Sequence, residues 1–469
     1  MKKLLFVLIL FLFLIFTIIS IYNTLACVSK QTEVQPINKM QLEESVVLKH
    51  LQGALRVQLL SNPIDSLQKD AYKQMQDYLE LTFREIYKSP NIEIKTLEGK
   101  GILLKWVGRN PKLTPILLLG QLDVKDPALK EIPQWTYNPF LGKIVDNVIY
   151  GAGVMGGKSV SIAMLEALET HIAAGVLPER TLYIAFSYDQ SSDSSKSIQL
   201  LAKTLASNGL KFEAIIGQES YATEIMDLSK PVAMLQCAER HKIYLNIEGK
   251  DFSQLTKLVE RIHSQIIPIA RKKKATRQFL LNLLPELSFS KRWALCNWTW
   301  AGFLMENELD LDKHVGAMLR STCDIEKLEK GIDGQPSVAQ LSWSLSPDYS
   351  LADIQKKYAT YLSAVNAKWS EELDAHPLIT NASGYSYEVL STTIRQVMGD
   401  VYVMPSIGAN STGIQLFKGL SPNCYQIRPY LFKSEDLECL RSGIDQQLRV
   451  DAYLDAVRFY HQLMDNMLL

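Results

Sequence analysis

The sequence predicts an α/β protein in which helices cover both faces of a mixed sheet and a smaller α+β module is inserted into the chain. Two short apolar runs, residues 115–120 and 181–187, flank an apolar-periodic helical segment. Runs of this kind are typical of strands buried on both faces. After Val232 the pattern changes to period-two alternation, which indicates a sheet with one solvated face. Together these observations predict two units of different architecture.

Length and composition limit the number of domains and the classes of function that the chain can have. A chain of 469 residues is too long for one compact core, so two or three domains are expected. Fifty basic residues balance fifty acidic ones, which argues against a broad nucleic-acid-binding surface. The six cysteines are scattered without a CxxC pair, so neither a zinc knuckle nor a dense disulfide framework is predicted.

The N-terminus predicts a membrane anchor. Lys2 and Lys3 precede an apolar run at residues 4–21, which is long enough to cross a bilayer. The charge distribution favours the basic end inside and the bulk of the chain on the extracytoplasmic or lumenal side. Residues 25–27, Leu-Ala-Cys, resemble a lipoprotein cleavage site, so a secreted protein or a lipoprotein is the alternative.

Periodicity divides the rest of the chain into elements and domains. The predicted domains are an anchor at 1–27, a stalk at 28–43, a main domain at 44–232 and 371–469, and an inserted β-α-β-β-α, ferredoxin-like domain at 233–370. The predicted helices are 41–59, 65–87, 195–208, 253–266, 350–369, 386–398 and 451–467. The predicted strands outside the central runs are 91–107, 212–217, 242–247, 338–345 and 400–404. Residues 135–150 predict a turn-rich hairpin.

The strand ends locate a candidate site. Ligands of open α/β sheets bind just beyond the carboxyl ends of the strands. Residues 121–123, Gln-Leu-Asp, follow the first apolar run, and residues 189–191, Asp-Gln-Ser, follow the next. We therefore expect the functional residues at these two places.

A glycine cluster near this site permits another interpretation. Residues 152–159 differ in one position from the phosphate loop G-x-x-x-x-G-K-[ST], because Ala152 stands at the first glycine. The run that leads into the loop carries Asp146 and Asn147, so it is not a buried central strand. Phosphate binding is therefore the less favoured interpretation.

Several stretches resemble the zinc exopeptidase family, which includes aminoacylase, carboxypeptidase S and succinyl-diaminopimelate desuccinylase. They are Gly-Gln-Leu-Asp-Val at 120–124, Trp-Thr-Tyr-Asn-Pro-Phe at 135–140 and Ile-Tyr-Gly-Ala-Gly at 149–153, with further similar stretches at 318–323, 335–339 and 450–453. The resemblance covers almost everything after the anchor. It is strongest to the membrane-anchored carboxypeptidase S-like branch, which cleaves dipeptides or N-acyl amino acids. The resemblance implies the zinc exopeptidase fold with an inserted lid or dimerisation domain.

The family's chemistry implies two zinc ions that hold a water molecule, which a glutamate deprotonates. Carried over residue by residue, the general-base position holds Gln190, and the carboxylate that orients a ligand histidine is retained as Asp123. The metal-ligand positions hold Gln121, Gly156, Ser191, Gly217 and Ser442. None of these five supplies an imidazole or a carboxylate, so the resemblance implies a degenerate metal site, and no cofactor is expected.

The family's substrate-binding residues differ here as well. Its T-D-S-R-H-F run reads Thr-Gly-Ile-Gln-Leu-Phe at residues 412–417, so Gln415 and Leu416 replace an arginine and a histidine of the substrate pocket. Arginine binds a carboxylate through two parallel hydrogen bonds, which glutamine cannot reproduce. The family often dimerises through the inserted domain, and a homodimer is an expectation that the short loop at 249–252 weakens.

These observations predict a membrane-anchored protein that is inactive as a metallo-hydrolase. We expect it to bind a small peptide or N-acyl amino acid, or to act as a scaffold. The alternative is an active peptidase or N-acyl amino acid hydrolase with a rearranged metal site. The carboxylates available for such a site are Asp123, Asp189, Asp193 and Glu219, which favour hard cations over zinc.

Overall fold

The computed structural model describes residues 2–60, 65–97, 101–125, 131–188, 196–226, 228–301, 312–332, 335–363, 365–371, 377–409 and 412–469. Its α-helices are α1 Lys2–Leu25, α2 Glu44–Arg56, α3 Asp65–Thr82, α4 Arg84–Lys88, α5 Gly157–Ala173, α6 Lys196–Ser207, α7 Phe252–His263, α8 Lys274–Leu283, α9 Phe289–Cys296, α10 Trp298–Ala301, α11 Lys313–Leu319, α12 Leu351–Leu362, α13 Tyr385–Met398, α14 Ser434–Ser442 and α15 Val450–Leu468. Its strands are β1 Ile92–Thr96, β2 Gly101–Trp106, β3 Ile116–Gln121, β4 Lys143–Val145, β5 Val148–Tyr150, β6 Leu182–Ser187, β7 Ala214–Gly217, β8 Ala222–Thr223, β9 Val232–Glu239, β10 His241–Gly249, β11 Thr322–Glu329, β12 Ser337–Leu345, β13 Asn366–Glu371, β14 Tyr402–Gly408, β15 Cys424–Gln426 and β16 Gln447–Arg449.

The main sheet is mixed and has helices on both faces, as predicted. Its strand order is β1-β2-β6-β3-β7-β15-β9-β14, with β8 paired to β9. Strand β3 runs parallel to both β6 and β7, whereas β1 and β2 form an antiparallel edge. Leu118 packs into the core beneath α5 and α15, and Leu117 and Leu119 face the core beneath α6. Because both faces of β3 are covered, an uninterrupted apolar sequence is required there.

The inserted module is ferredoxin-like, as predicted, and its order β10-α7-β11-β12-α12-β13 adds a final strand to the predicted β-α-β-β-α pattern. Its sheet order is β11-β12-β10-β13, and all its strand pairs are antiparallel. Ile243, Leu245 and Trp343 of the sheet pack against Val259 of α7 and Tyr358 of α12. Alternate residues of β10 are exposed, so the other face of this sheet meets solvent. The period-two pattern in the sequence reflects this one-sided burial.

The start of the inserted domain differs from the predicted boundary at residue 233. Strand β9 is buried along its whole length and pairs in parallel with β14 of the main sheet. Phe279 and Leu283 of α8 also join the core formed by Val232 and Met404. The described part of residues 274–319 therefore packs on the main sheet, because its apolar helix faces cover β9 and β14.

The predicted helix at 350–369 is wrong in its last part. Helix α12 ends at Leu362, and β13 then pairs with β10. Ala367 and Trp369 alternate toward the module's core, and the rings of Trp369 and Trp343 lie 5.2 Å apart. Pairing with a strand more than 100 residues away outweighs the local helical pattern.

The predicted hairpin at 135–150 contains β4 and β5, and it lies outside the main sheet. Asp146 and Asn147 form its turn with φ of 50° and 61°, as two-residue hairpin turns require. Strand β5 also pairs with β16, which gives a separate three-stranded sheet. The Nζ atom of Lys158 donates to Val57 O at 2.8 Å. The glycine loop thus follows no core strand and its lysine is buried, which does not match a phosphate loop.

Helix α1 is long and apolar enough to cross a membrane by length and composition, and it lies near the N-terminus. Its side chains from Leu4 to Leu14 are exposed. These features are compatible with a membrane anchor or with a signal sequence.

Candidate functional site

The candidate site lies at the carboxyl edge of the main sheet, where three of the predicted metal positions converge. Gln121 ends β3, Gly217 ends the parallel neighbour β7, and Gly156 immediately precedes α5. A Cβ atom placed on Gly157 would lie 2.7 Å from Gln121 Cβ and 2.9 Å from the side-chain amide of Gln218. Gly157 and Gln218, which follow Gly156 and Gly217 in the chain, thus meet beside Gln121. Positions 121, 156 and 217 therefore lie close together.

Amide groups and a hydroxyl satisfy one another at the centre of this edge. In the orientation that suits both atoms, the amide of Gln218 donates to Gly157 O at 3.1 Å and accepts from Gln121 N at 2.6 Å. Ser161 Oγ accepts from Gln121 N and donates to Gln121 O, both at 2.8 Å. The backbone groups at this edge of the sheet are thus hydrogen-bonded to uncharged side chains.

Asp123, which the sequence predicts to be a retained carboxylate of the family's site, is buried near Lys158. Its side chain is 1% exposed, and the charge of Asp123 acts on the ammonium of Lys158. Burial lowers the pKa of Lys158 to about 7, and the charge of Asp123 opposes this shift. Asp123 and Lys158 are therefore buried groups whose opposite charges act on each other near the site.

A hydrogen-bonded network continues from Gly217 to the end of β9. A Cβ atom on Gly217 would lie 3.0 Å from Gln426 Oε1, which accepts from Thr412 Oγ1 at 3.1 Å. Glu239 Oε2 accepts from Thr412 N at 2.9 Å and from Thr412 Oγ1 at 2.7 Å. Because Glu239 is fully buried, its pKa is raised to about 7 despite these bonds.

Arg428 joins this edge from the loop after β15. Its side chain is 8% exposed, Nη1 donates to Met155 O at 2.7 Å, and Nη2 lies 3.3 Å from Glu219 Oε2. Its Nε atom has no hydrogen-bond partner within the described residues. The buried guanidinium of Arg428 is therefore bonded to Met155, the residue before Gly156, and its Nε donor is unused within the described residues.

A cavity of about 600 Å³ opens beside these groups. Glu219, Thr412 and Arg428 line its polar side, and Met234, Met318 and Leu440 line apolar parts of its wall. His314 of α11 and Tyr221 also line it, and their rings lie 6.2 Å apart. The size and the mixture of polar and apolar walls suit a small amphipathic ligand.

Ser442 lies near this region without a described contact to the other metal positions. It is exposed at the end of α14, where its hydroxyl bonds to Cys439 O and Ile444 O in its own turn. Gln446, in the same turn, accepts from Gly153 N at 2.9 Å. The turn that carries Ser442 is thus attached to the glycine loop.

The predicted pocket residues Gln415 and Leu416 are not among the described residues that line the cavity. Gln415 is 2% exposed beside Glu239, and Leu416 packs against the core beneath α6. Their assignment to a substrate pocket stays a prediction. Gln190 and Ser191, like Asp189 and Asp193, lie outside the described residues.

Two residues of this site, Glu239 and Arg428, were not predicted from the sequence. Glu239 follows seven buried residues in β9, and Arg428 follows the buried strand β15. A charged residue at the end of a buried strand is a usable signal, because parallel strand ends define the ligand edge. Neither residue has a motif around it that would reveal its partners, which lie far away in the sequence.

The chain belongs to Peptidase family M20/M25/M40, whose sequence profile matches residues 118–466. Among curated relatives, N-fatty-acyl-amino acid synthase/hydrolase PM20D1 of Xenopus tropicalis is 24% identical over 461 residues, covering 93% of this chain and 87% of the relative. Probable carboxypeptidase S-like 2 of Dictyostelium discoideum is 24% identical over 479 residues, covering 95% and 91%. These relatives confirm the predicted zinc exopeptidase family and its carboxypeptidase S-like branch.

Solved structures confirm the fold. Human carnosine dipeptidase 1 superposes with a TM-score of 0.62 at 13% identity, covering 90% of this chain and 96% of that one. An M20 family metallo-carboxypeptidase, Sso-CP2 from Sulfolobus solfataricus, gives a TM-score of 0.59 at 15% identity, covering 90% and 99%.

The described residues at the predicted metal positions do not supply the ligands that a di-zinc centre uses. Zinc sites in proteins use imidazole, thiolate and carboxylate ligands. Gln121 offers an amide that contacts Gly157, and Gly156 and Gly217 offer no side chain. Within the described residues, the one group of three clustered metal-ligating side chains is His171, His461 and Asp465. His171 is 14 residues from the start of α5, which places it about 20 Å along the helix from this edge.

Proposed function

We propose that this M20-family protein binds a small carboxylate-bearing ligand and does not hydrolyse it through a metal-bound water. The observation that carries the proposal is that Gln121, Gly156 and Gly217 supply neither imidazole nor carboxylate. A metal ion is what lowers the pKa of water enough to make a nucleophile near neutral pH. The base position holds Gln190, an amide that does not accept a proton at neutral pH.

The cavity supports the ligand class. Arg428 is the buried cation on its wall, and guanidinium groups bind carboxylates strongly when water is excluded. Its Nη2 contact to Glu219 at 3.3 Å is long for a charge-assisted hydrogen bond. Met234 and Met318 add adaptable apolar contacts on the same wall. A peptide C-terminus or an N-acyl amino acid presents both required features.

The relatives support the same class of ligand. One is named an N-fatty-acyl-amino acid synthase/hydrolase, and another is named a probable carboxypeptidase S-like protein. The first name specifies N-fatty-acyl-amino acids, which carry a carboxylate close to an amide, and the second is that of a carboxypeptidase-like protein, a type of enzyme that acts at the carboxyl end of peptides. We infer that the present chain keeps recognition of such compounds after the loss of the metal ligands.

We also propose that α1 remains attached and anchors the protein in a membrane. The basic residues Lys2 and Lys3 favour the cytoplasmic side, so the cavity would face the extracytoplasmic or lumenal side. Only about the first twenty residues would lie in the bilayer, which leaves the site in the aqueous phase.

Elemental analysis of protein purified without chelator and then offered excess zinc tests the loss of the metal centre. We expect far less than one ion per chain at the family site. The His171→Ala chain should be measured in parallel, because any ion held by the distant His171, His461 and Asp465 group would disappear with that substitution. Two ions per chain that persist in His171→Ala would contradict the proposal.

Thermal shift with a dipeptide and an N-acyl amino acid tests ligand binding. A ligand that binds only the folded state raises its stability, by about 2.7 kcal/mol at one hundred times Kd. We expect this shift in the natural chain and its loss in Arg428→Gln. Arg449→Gln, at an exposed arginine paired with Asp451, is the matched control and should keep the shift. Equal shifts in both variants would exclude Arg428 as the carboxylate-binding group.

Hydrolysis in a rearranged site is the other candidate function, and Glu239 favours it. Its carboxyl has a pKa of about 7 and is one hydrogen bond from Thr412, which lines the cavity. A general base is most effective when its pKa lies near the working pH. Product formation from an N-acyl amino acid that disappears in Glu239→Gln would establish this candidate. The absence of product alongside a thermal shift would favour binding alone.

A further inference from the structure

The end of the N-terminal helix α1 is fixed against α9 by buried hydrogen bonds. The Nδ2 atom of Asn297 donates to Ser20 O at 3.0 Å and to Thr24 Oγ1 at 3.3 Å. Asn23 Nδ2 donates in turn to Asn297 Oδ1 at 3.1 Å. Ser20 and Thr24 are 3% and 0% exposed, although the preceding part of α1 is exposed. Polar groups of α1 therefore begin to contact the soluble domain where its apolar run ends.

Aromatic contacts support the same placement. The rings of Phe16 in α1 and Trp300 in α10 lie 4.5 Å apart, and Trp300 also contacts Trp293 of α9 at 4.9 Å. Tryptophan is enriched at membrane–water interfaces. This surface thus has the composition expected beside the point at which a membrane helix leaves the bilayer.

Two cysteines meet at this junction. Cys27 lies two residues after α1, Cys296 ends α9, and their Sγ atoms are 2.6 Å apart. A disulfide bond measures about 2.05 Å between the sulfurs. Both side chains are half-buried, and 269 positions separate them in the chain. Asn297, the next residue after Cys296, is hydrogen-bonded to α1. These bonds bring the two thiols together independently of any bond between the sulfurs.

We propose that Cys27 and Cys296 form a disulfide that locks the soluble domain onto the end of its membrane helix. The reaction is thiol–disulfide exchange with a small-molecule or protein disulfide as the oxidant. One thiolate attacks the oxidant to give a mixed disulfide, and the other thiolate then displaces the reduced oxidant thiol. Two protein thiols become one disulfide, and the oxidant leaves as two thiols.

The proposal goes beyond ligand binding and depends on the retention of α1. Disulfides persist on the extracytoplasmic side of membranes, where the proposed topology puts Cys27. The same thiol cannot also carry a lipid, so the bond and a lipoprotein anchor exclude each other. The bond closes a very long loop, and it restricts the angle at which the cavity-bearing domain leaves the bilayer.

The test is a thiol count on the full chain in detergent micelles, equilibrated in a buffer of oxidised and reduced glutathione. Burial raises the pKa of the Cys296 thiol to about 12, so its thiolate is scarce and the incubation must continue until the count is constant. The protein is then denatured, alkylated and weighed by mass spectrometry. We expect four alkylated cysteines of the six, with a linked peptide that joins Cys27 to Cys296.

Two variants make the result specific. Cys27→Ser should abolish the linked peptide, whereas Cys323→Ser, at a half-buried cysteine of β11, should keep it. Six alkylated cysteines, a linked pair that excludes Cys27, or a lipid on Cys27 in exported protein would each overturn the proposal. Ligand-induced thermal shift should be unchanged in Cys27→Ser, so failure of this inference is distinguishable from failure of the proposed function.

Discussion

Gln121 and Gly157 contact each other so closely that a Cβ atom on Gly157 would lie 2.7 Å from Gln121 Cβ. Gly156, one residue earlier, has no neighbour among the described residues within 4 Å of its corresponding Cβ position. Packing against Gln121 therefore requires a glycine at position 157, whereas no described neighbour requires one at position 156, which is a predicted metal position.

Substitution of the two glycines by aspartate should have opposite consequences. Gly156→Asp should leave the free energy of unfolding unchanged or raise it by about 0.5 kcal/mol, since position 156 is the N-cap of α5. Gly157→Asp should lower it by about 1–3 kcal/mol, because Gln121 must move. Urea denaturation of both variants measures the difference. Equal destabilisation would show that position 156 is also constrained.

Much of this edge followed from the sequence. The apolar run before Gln121 predicted a buried strand, residues 212–217 predicted a further short strand, and the carboxyl ends of parallel strands meet at the same edge of a sheet. The roles of Glu239 and Arg428 did not follow, because Glu239 bonds to Thr412, 173 positions away. Such pairings depend on the order of strands in the sheet, which local periodicity does not reveal.

The buried carboxyl of Glu239 predicts that stability falls as pH rises. Burial raises its pKa from 4.5 to about 7, so the folded state binds a proton more tightly than the unfolded state does. Its contribution is complete below pH 4.5 and is lost between pH 4.5 and 7, by about 3 kcal/mol in total. Glu239→Gln should remove this slope in denaturation curves taken across that range.

The exposed Glu388 of α13 provides the control for this experiment. Glu388→Gln should retain the natural slope between pH 4.5 and 7. A slope that persists unchanged in Glu239→Gln would show that another group causes it.

The buried ammonium of Lys158 predicts the opposite slope at higher pH. Burial lowers its pKa from 10.5 to about 7, so the unfolded state binds the proton more tightly over that interval. Stability should therefore rise with pH between 7 and 10.5. Lys158→Met keeps the length of the side chain without a titrating group and should abolish the rise. A rise of the same size in Lys158→Met would assign it to other residues.

The contact between His171 and Asp465 predicts the acid limit of folding. His171 is 2% exposed, its Nε2 lies 2.8 Å from Asp465 Oδ1, and its Nδ1 faces Ala167 O at 2.9 Å. Burial acts to raise the pKa of Asp465, but hydrogen bonds from His171 and His461 outweigh it and hold this pKa well below its usual value. Because the folded pKa is depressed, the stabilisation is complete above about pH 4 and is lost as the pH falls below it.

Asp465→Asn tests this contact between α5 and α15. At pH 7 the substitution should lower the free energy of unfolding by about 1–3 kcal/mol, since a buried imidazole loses its charged partner. Below about pH 3 the natural chain and the variant should converge in stability, because the carboxylate is then increasingly protonated in the unfolded state. Asp451→Asn, at an exposed aspartate of the same helix, should change stability little at either pH. A constant difference between the natural chain and Asp465→Asn at all pH values would mean that packing, and not the charge of Asp465, holds the two helices together.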